Sequence, residues 1–202
     1  MGKTEWRVPI YDDNIFEHNE QSFCGGSLMG SRILVVLDSC DDEVVELLKN
    51  YLDMERVVFT IVSCELEENL EDVLLKKGCI ERNFEHIINY FGKGIQINCV
   101  KYLYFLLQQE ILYVTKKRLQ YGTICSVVVD DEEDDIQAKA GIIASKSLLL
   151  GLGNLVSNYN LIQSGIIASR SVPLEKIVET AIFLSGKYGQ MLTGEVIEMK
   201  SK

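Results

Sequence analysis

Short apolar runs alternate with longer stretches of helical periodicity along most of this chain. Residues 32–37 (RILVVL) form a continuous apolar, β-branched run, which is typical of a strand buried on both faces. Acidic residues follow, and apolar side chains then recur at helical spacing from Val44 to Leu52. A second strand, also expected to be buried, at 56–62 completes a β-α-β unit, which implies parallel strands.

The same alternation continues to the end of the chain. Residues 65–94 are acidic and are predicted to be helical, with breaks near Gly78 and at Gly92 and Gly94. The remaining predicted elements are long helices at 95–118 and 137–159, strands at 123–129, 161–167 and 194–199, and a last helix that opens at 172–175. Residues 1–31 are weakly patterned, so we expect an irregular N-terminal arm within a single domain of residues 1–202. This succession predicts an α/β fold with a doubly wound parallel sheet.

Composition and charge narrow the classes of partner. The chain has 202 residues, 47% of them hydrophobic and 25% charged, as is ordinary for a globular domain. Its net charge is −10, which disfavours nucleic acid and anionic membranes as partners. The six cysteines include no CxxC pair and several sit in apolar runs, which indicates free buried thiols in a reducing compartment. We therefore expect a cytoplasmic protein that binds no metal and crosses no membrane.

Six consecutive carboxylates occupy residues 130–135. A solvated loop is the favoured interpretation of this run. Contact with a basic patch on a partner is the second interpretation, and metal binding is a distant third.

Five motifs in the C-terminal half resemble those of the short-chain dehydrogenase/reductase (SDR) family, in the family's order. They are residues 97–99 (INC), 144–152 (ASKSLLLGL), 160–167 (NLIQSGII), 173–185 (PLEKIVETAIFLS) and 191–197 (MLTGEVI). The resemblance covers roughly residues 95–199. It implies a Rossmann-like sheet that is truncated or remodelled in its N-terminal half.

The catalytic positions implied by the resemblance are only partly filled. The family uses a Tyr as general acid/base, a Lys that lowers its pKa, a Ser that polarises the carbonyl and an Asn that holds a water. Lys146 and Asn98 match the Lys and the Asn, but Ile142 stands at the Tyr position and the Ser position falls near Val129. Because alkyl side chains transfer no proton, we expect no catalytic residues, with Asn98 and Lys146 as vestigial matches.

The cofactor motifs implied by the resemblance are also eroded. Residues 24–30 (CGGSLMG) match the family's TGxxxGxG turn only in part. A strand-like run at 33–37 follows them, where the family has a helix. The family's NNAG turn would fall near 61–64 and is absent there, and Ala168-Ser169 replaces a Pro-Gly. The acidic run would repel a pyrophosphate or a CoA group. We therefore expect no cofactor in this chain.

Together, these departures predict a non-catalytic SDR-like subunit. It would pair with a catalytically intact, NAD(P)-binding SDR paralogue through the helices near 95–118 and 137–159 and the C-terminal helix and strand. The resemblance extends to hydroxyacyl-CoA enzymes such as the aryl-succinyl-CoA dehydrogenases of anaerobic aromatic degradation. Two alternatives stay open. One is an active, atypical NAD(P)-dependent oxidoreductase that uses Lys146 with a non-standard acid/base, and the other is a small-molecule sensor on the same scaffold.

Overall fold

Continuous apolar runs become the strands of one parallel sheet. The computed structural model describes residues 28–38, 41–64, 68–80, 82–92, 97–116, 122–130, 135–156, 161–186, 189–192 and 194–200. Within them the strands are Arg32–Leu37 (β1), Val58–Ser63 (β2), His86–Phe91 (β3), Gly122–Asp130 (β4), Leu161–Ser169 (β5) and Val196–Met199 (β6). Their order is β2-β1-β3-β4-β5-β6, and every neighbouring pair is parallel. The predicted α/β class and parallel sheet are confirmed.

Helices cover both faces of this sheet. They are Asp42–Met54 (α1), Leu70–Lys76 (α2), Ile97–Lys116 (α3), Ile136–Val156 (α4) and Leu174–Ser185 (α5), and a 3-10 turn spans Gly189–Leu192. The α1 and α5 helices share one hydrophobic core with one face of the sheet, and α2, α3 and α4 share a second core with the other face. Because both faces are covered, β1, β3, β4 and β5 are almost wholly buried, which explains the unbroken apolar run of β1 and the mainly apolar sequences of β4 and β5.

The strand order shows where the N-terminal half is remodelled. A dinucleotide-binding sheet of order 3-2-1-4-5-6 has two strands beyond its first strand, on the side away from strand 4. In the described part of this chain β2 alone lies beyond β1. The order therefore begins 2-1-3-4-5, the other common doubly wound arrangement, with β6 added at the far edge.

The prediction of helix over 65–94 is wrong for most of that segment. The described part contains one short helix, α2, and then the central strand β3, whose six residues are all buried. His86 and Asn89 interrupt the apolar pattern of β3, and both find hydrogen-bond partners on other elements. The segment therefore lacks the continuous apolar run by which the other central strands are recognised.

The other predicted elements are present with small shifts in their bounds. The helix predicted at 95–118 is α3, and the helix predicted at 137–159 is α4, with 157–160 outside the described residues. Pro173 occupies the N-cap position of α5 rather than its first turn. Of the expected N-terminal arm, residues 1–27 lie outside the described residues.

Candidate functional site

The carboxyl ends of β1 and β3 meet where the strand order reverses. In doubly wound sheets, ligands bind in the crevice outside this point. The backbone N–H of Asp38 donates to the carbonyl of Tyr90 at 3.2 Å, and the N–H of Gly92 donates to Asp38 Oδ1 at 3.2 Å. The Asp38 carboxylate therefore bridges the two strand ends.

The turn from β1 into α1 carries carboxylates and no glycine. Residues 38–41 read DSCD, and Asp42 and Glu43 begin the helix. Asp41 caps α1 by accepting a hydrogen bond from the N–H of Glu43 at 3.1 Å. A helix N-terminus otherwise attracts phosphate, but here the chain's own acids complement its N–H groups and would repel a pyrophosphate.

This topology corrects two assignments made from sequence. The strand that reaches the crevice is β1, so the position equivalent to a phosphate-binding turn is 38–41 and not 24–30. The strand beside β1 is β3, so the position equivalent to the NNAG turn follows Phe91 and does not lie at 61–64. The second error arises from the unrecognised strand β3.

Tyr90 lies beneath the crevice with its side chain buried on the α1 and α5 side of the sheet. Burial raises the pKa of its phenol to about 12, and the negative charges of Asp41 and Asp38 contribute to the same shift. The hydroxyl therefore stays protonated in the neutral pH range. It can donate a hydrogen bond but is a poor general base.

The two positions where the family's Tyr and Ser would lie are apolar and sit in different layers. Val129 is buried in the core formed with α1 and α5, whereas the half-buried Ile142 packs against the core formed with α3 and α4. Val128, which precedes Val129 in the chain, faces the same side of the sheet as Ile142 and is also an alkyl residue. The structure thus brings no hydroxyl to either position.

Lys146 points to the far edge of the sheet. Its ammonium donates to Glu198 Oε1 on β6 and forms an ion pair there. The Lys146 hydrogen bond and charge hold the pKa of the Glu198 carboxyl below its usual value, and Lys200 contributes from 3.5 Å. Lys146 therefore joins α4 to β6. Asn98 lies in the first turn of α3, and its side chain is outside the described part of the structure.

A buried polar cluster lies between the sheet and α3, and it was not found from sequence. The side-chain amide of Asn89 on β3 donates to Glu110 Oε2 at 2.9 Å and to Ser126 Oγ at 3.2 Å. All three residues are fully buried. Burial raises the pKa of Glu110 to about 8, which the hydrogen bond from Asn89 only partly opposes. The carboxyl group is therefore mostly protonated at pH 7, and the available signal was the single acid in the sequence of α3.

The described residues contain no group of three or more His, Cys, Asp or Glu side chains placed to hold a metal ion. None of the helices within the described ranges is long and apolar enough to span a membrane. Cys64, Cys79 and Cys125 are buried, as predicted for cysteines in apolar surroundings.

Comparison with solved structures identifies the fold. No protein-family profile matches the sequence, and no curated protein matches it. A short chain dehydrogenase from Leptospira borgpetersenii with bound NAD+ superposes with a TM-score of 0.68 at 11% identity, over 87% of this chain and 93% of that one. A short chain dehydrogenase from Mycobacterium smegmatis gives 0.64 at 15% identity, over 88% and 94%. The enoyl-[acyl-carrier-protein] reductase (NADH) from Aquifex aeolicus gives 0.60 at 15% identity, over 85% and 95%.

These similarities define the class of fold. The chain has a Rossmann-like α/β fold of the kind found in short-chain dehydrogenases/reductases. At this level of identity the likeness shows the fold alone, so the function rests on the chemistry of the residues.

Proposed function

We propose that this chain is a non-catalytic, SDR-like subunit of a hetero-oligomeric NAD(P)-dependent dehydrogenase. It pairs with a catalytically intact paralogue, which binds the nucleotide and performs the hydride transfer. The resemblance extends the proposal to a hydroxyacyl-CoA substrate for the complex. This chain supplies the partner with a stabilising surface.

One observation carries the non-catalytic part of the proposal. The segment 38–41 contains no glycine, and its Asp38 and Asp41 carboxylates lie at the crevice where a phosphate-bearing cofactor would need backbone N–H groups. A pyrophosphate that came close to this segment would also contact the negatively charged side chain of Asp38. Ile142 and Val129 offer no acid/base chemistry to compensate.

Exposed apolar side chains on α3 and α4 support the pairing. These helices contact each other and carry outward-facing apolar residues, namely Tyr104, Phe105, Leu112, Ile136, Ile143 and Leu150. Ile136 is 82% exposed and Ile143 is 67% exposed. Ile136, Ile143 and Leu150 recur every seven residues on α4, which is the spacing of a helix seam that packs against another helix. The occupant that fits is an SDR-like subunit with matching apolar helices.

The decisive experiment is purification of the tagged chain from its native host under mild conditions. We expect a second protein in stoichiometric amount whose sequence contains intact TGxxxGxG and YxxxK motifs. A purified complex that contains this chain alone would overturn the proposal.

A pair of substitutions locates the contact. Ile143→Glu places a charge on the exposed face of α4 and is expected to abolish co-purification. Leu75→Glu makes a similar change at an apolar residue that is 61% exposed on α2, outside the proposed contact, and should leave the partner bound. Equal retention of the partner by both variants would exclude the α3 and α4 face.

Titration with NADH and NADPH, followed by nucleotide fluorescence, tests the non-catalytic part separately. The isolated chain is expected to show no binding up to millimolar concentration. Saturable binding below that concentration would instead favour the active enzyme that uses Lys146.

A further inference from the structure

The β2 strand forms one edge of the sheet, and its outer side meets no other strand within the described ranges. Its side chains are only partly covered, unlike those of β1, and Val58 is 43% exposed. An edge of this kind offers a row of backbone donors and acceptors to another strand.

The hydrogen bonds to β1 reveal which backbone groups point outward. Val58 N–H donates to Ser31 and Cys64 N–H donates to Leu37, so the even-numbered residues between them also face β1. The N–H and C=O groups of Phe59, Ile61 and Ser63 therefore point away from the sheet.

This edge lacks the features that normally prevent pairing. Natural edge strands are protected by Lys, Pro, bulges or inward-pointing charges. The sequence of β2 is VFTIVS, which has no charged residue and no proline, and its pairing with β1 runs without a bulge. An unprotected strand rich in β-branched and aromatic residues is expected to be covered in the folded protein.

The charged residues at the two ends of β2 indicate which strand would pair with this edge. Arg56 precedes β2, and Arg82 donates to Thr60 Oγ1 at 2.9 Å, so the amino half of the strand is flanked by cations. Glu68 follows its carboxyl end and forms an ion pair with Lys76 at 3.3 Å, and the sequence places two more acids at 65 and 67. An antiparallel second copy of β2 would bring each basic end beside an acidic end, whereas a parallel arrangement of two copies would place like charges together.

We propose that two copies of this chain pair through their β2 edges, antiparallel and about a two-fold axis at Ile61. In this register Ile61 lies opposite Ile61 of the second copy, and Phe59 lies opposite Ser63. Each of the three outward-facing residues then both donates and accepts one backbone hydrogen bond within β2, whereas a register shifted by two residues would place one of them opposite a residue outside β2. The two sheets become one continuous sheet. The β2 edge lies at the opposite end of the sheet from β6 and is separate from the α3 and α4 face proposed for the dehydrogenase partner. One of the two proposals can therefore be wrong while the other holds.

Disulfide trapping in the isolated full-length chain tests this register. Ile61→Cys places two thiols in a hydrogen-bonded pair with Cα atoms about 5.5 Å apart, which is within disulfide range. Phe59→Cys is the matched control, since its two copies would lie roughly 13 Å apart along the strands. We expect a covalent dimer from Ile61→Cys on mild oxidation and none above the wild-type background from Phe59→Cys. Equal cross-linking of both variants, or of neither, would overturn the proposal.

The mass in solution gives an independent result. Light scattering should find a dimer of the 22.9-kDa wild-type chain. Ile61→Pro removes an outward-facing donor without removing a hydrogen bond to β1, and it should yield a folded monomer by circular dichroism. Arg56→Glu should also weaken the dimer, whereas Lys49→Glu on the exposed surface of α1 should not, although the net charge changes equally. A monomeric wild-type chain would contradict pairing through this edge. The same conclusion would follow if the chain dimerised only after residues 1–27 had been removed.

Discussion

The N–H of Gly92 donates to the carboxylate of Asp38 at 3.2 Å, across the point where the sheet reverses its strand order. This hydrogen bond joins the ends of β1 and β3 at the place where related folds admit a ligand. A Cβ on residue 92 would lie 2.9 Å from the ring of Tyr90, so the chain passes close to that side chain. The hydrogen bond between Gly92 and Asp38 and the close contact of residue 92 with Tyr90 thus join the two sides of the crevice.

Removing the Asp38 carboxylate should loosen this junction. Asp38→Ala leaves the Gly92 N–H without its acceptor, and we expect a loss of about 1–3 kcal/mol in the free energy of unfolding. Asp38→Asn keeps an acceptor oxygen at the same position and should cost less. Urea denaturation monitored by circular dichroism measures both, and equal losses would show that the hydrogen bond is not the source of the effect.

The protonation of Glu110 should make stability fall as pH rises. Its pKa is about 8 when folded and 4.5 in its ordinary environment, so between these values the folded state holds a proton that the unfolded state has lost. This contribution is fully present below about pH 4.5 and decreases by about 1.4 kcal/mol per pH unit until the folded-state pKa is passed.

Glu110→Gln removes the titration while it keeps an acceptor for Asn89, so unfolding free energies measured from pH 5 to 8 should change less with pH than in the wild type. Glu46→Gln, at an exposed position on α1, is the control that should keep the wild-type slope. An unchanged slope in Glu110→Gln would mean that Glu110 is ionised in the folded protein.

The pairing of Lys146 with Glu198 predicts a local titration. The Glu198 carboxyl should titrate below its usual pKa, and the pairing should be lost as pH falls through that lowered value. Lys146→Met should move the pKa of Glu198 back up, which carboxyl NMR shifts would report. The same substitution in the proposed complex should leave its dehydrogenase activity in place, and loss of that activity would support a chemical role for Lys146.

Two glycines on α4 should respond in opposite directions to alanine. A Cβ on Gly153 would lie 2.3 Å from the Cα of Gly194, so Gly153→Ala forces α4 and the turn before β6 apart. We expect it to destabilise the chain by about 1–3 kcal/mol. A Cβ on Gly151 meets nothing within 4 Å, so Gly151→Ala should stabilise the helix by about 0.4–1 kcal/mol. Thermal unfolding of the isolated variants distinguishes the two, and similar shifts would contradict this close approach.

The candidate site was predictable only in part. Ile142 and Val129 could be identified as alkyl residues from the sequence, because chemical identity does not depend on the fold. The location of Lys146 beside Glu198 required the structure, since Lys146 lies on the helix α4 and its partner lies 52 residues away on the strand β6. The acids at 38–41 were visible in the sequence, but their place at the crevice depended on knowing which strand lies beside β1.

The sequence by itself determined the alternation of strands and helices and five of the six strands of the described sheet. β1, β4 and β5 are buried on both faces and must be mainly apolar, and that requirement is visible in one dimension. β2 and β6 are partly exposed edge strands, and they were visible as short apolar segments between turns and helices. The tertiary structure alone decided the sixth strand, β3, and with it the strand order and the crevice. His86 is buried with its Nδ1 2.7 Å from Thr123 Oγ1, burial lowers its pKa to about 4, and Asn89 is buried against Glu110 and Ser126. Polar residues can occupy a central strand only when other elements supply hydrogen-bond partners, and those partners are brought together only by folding.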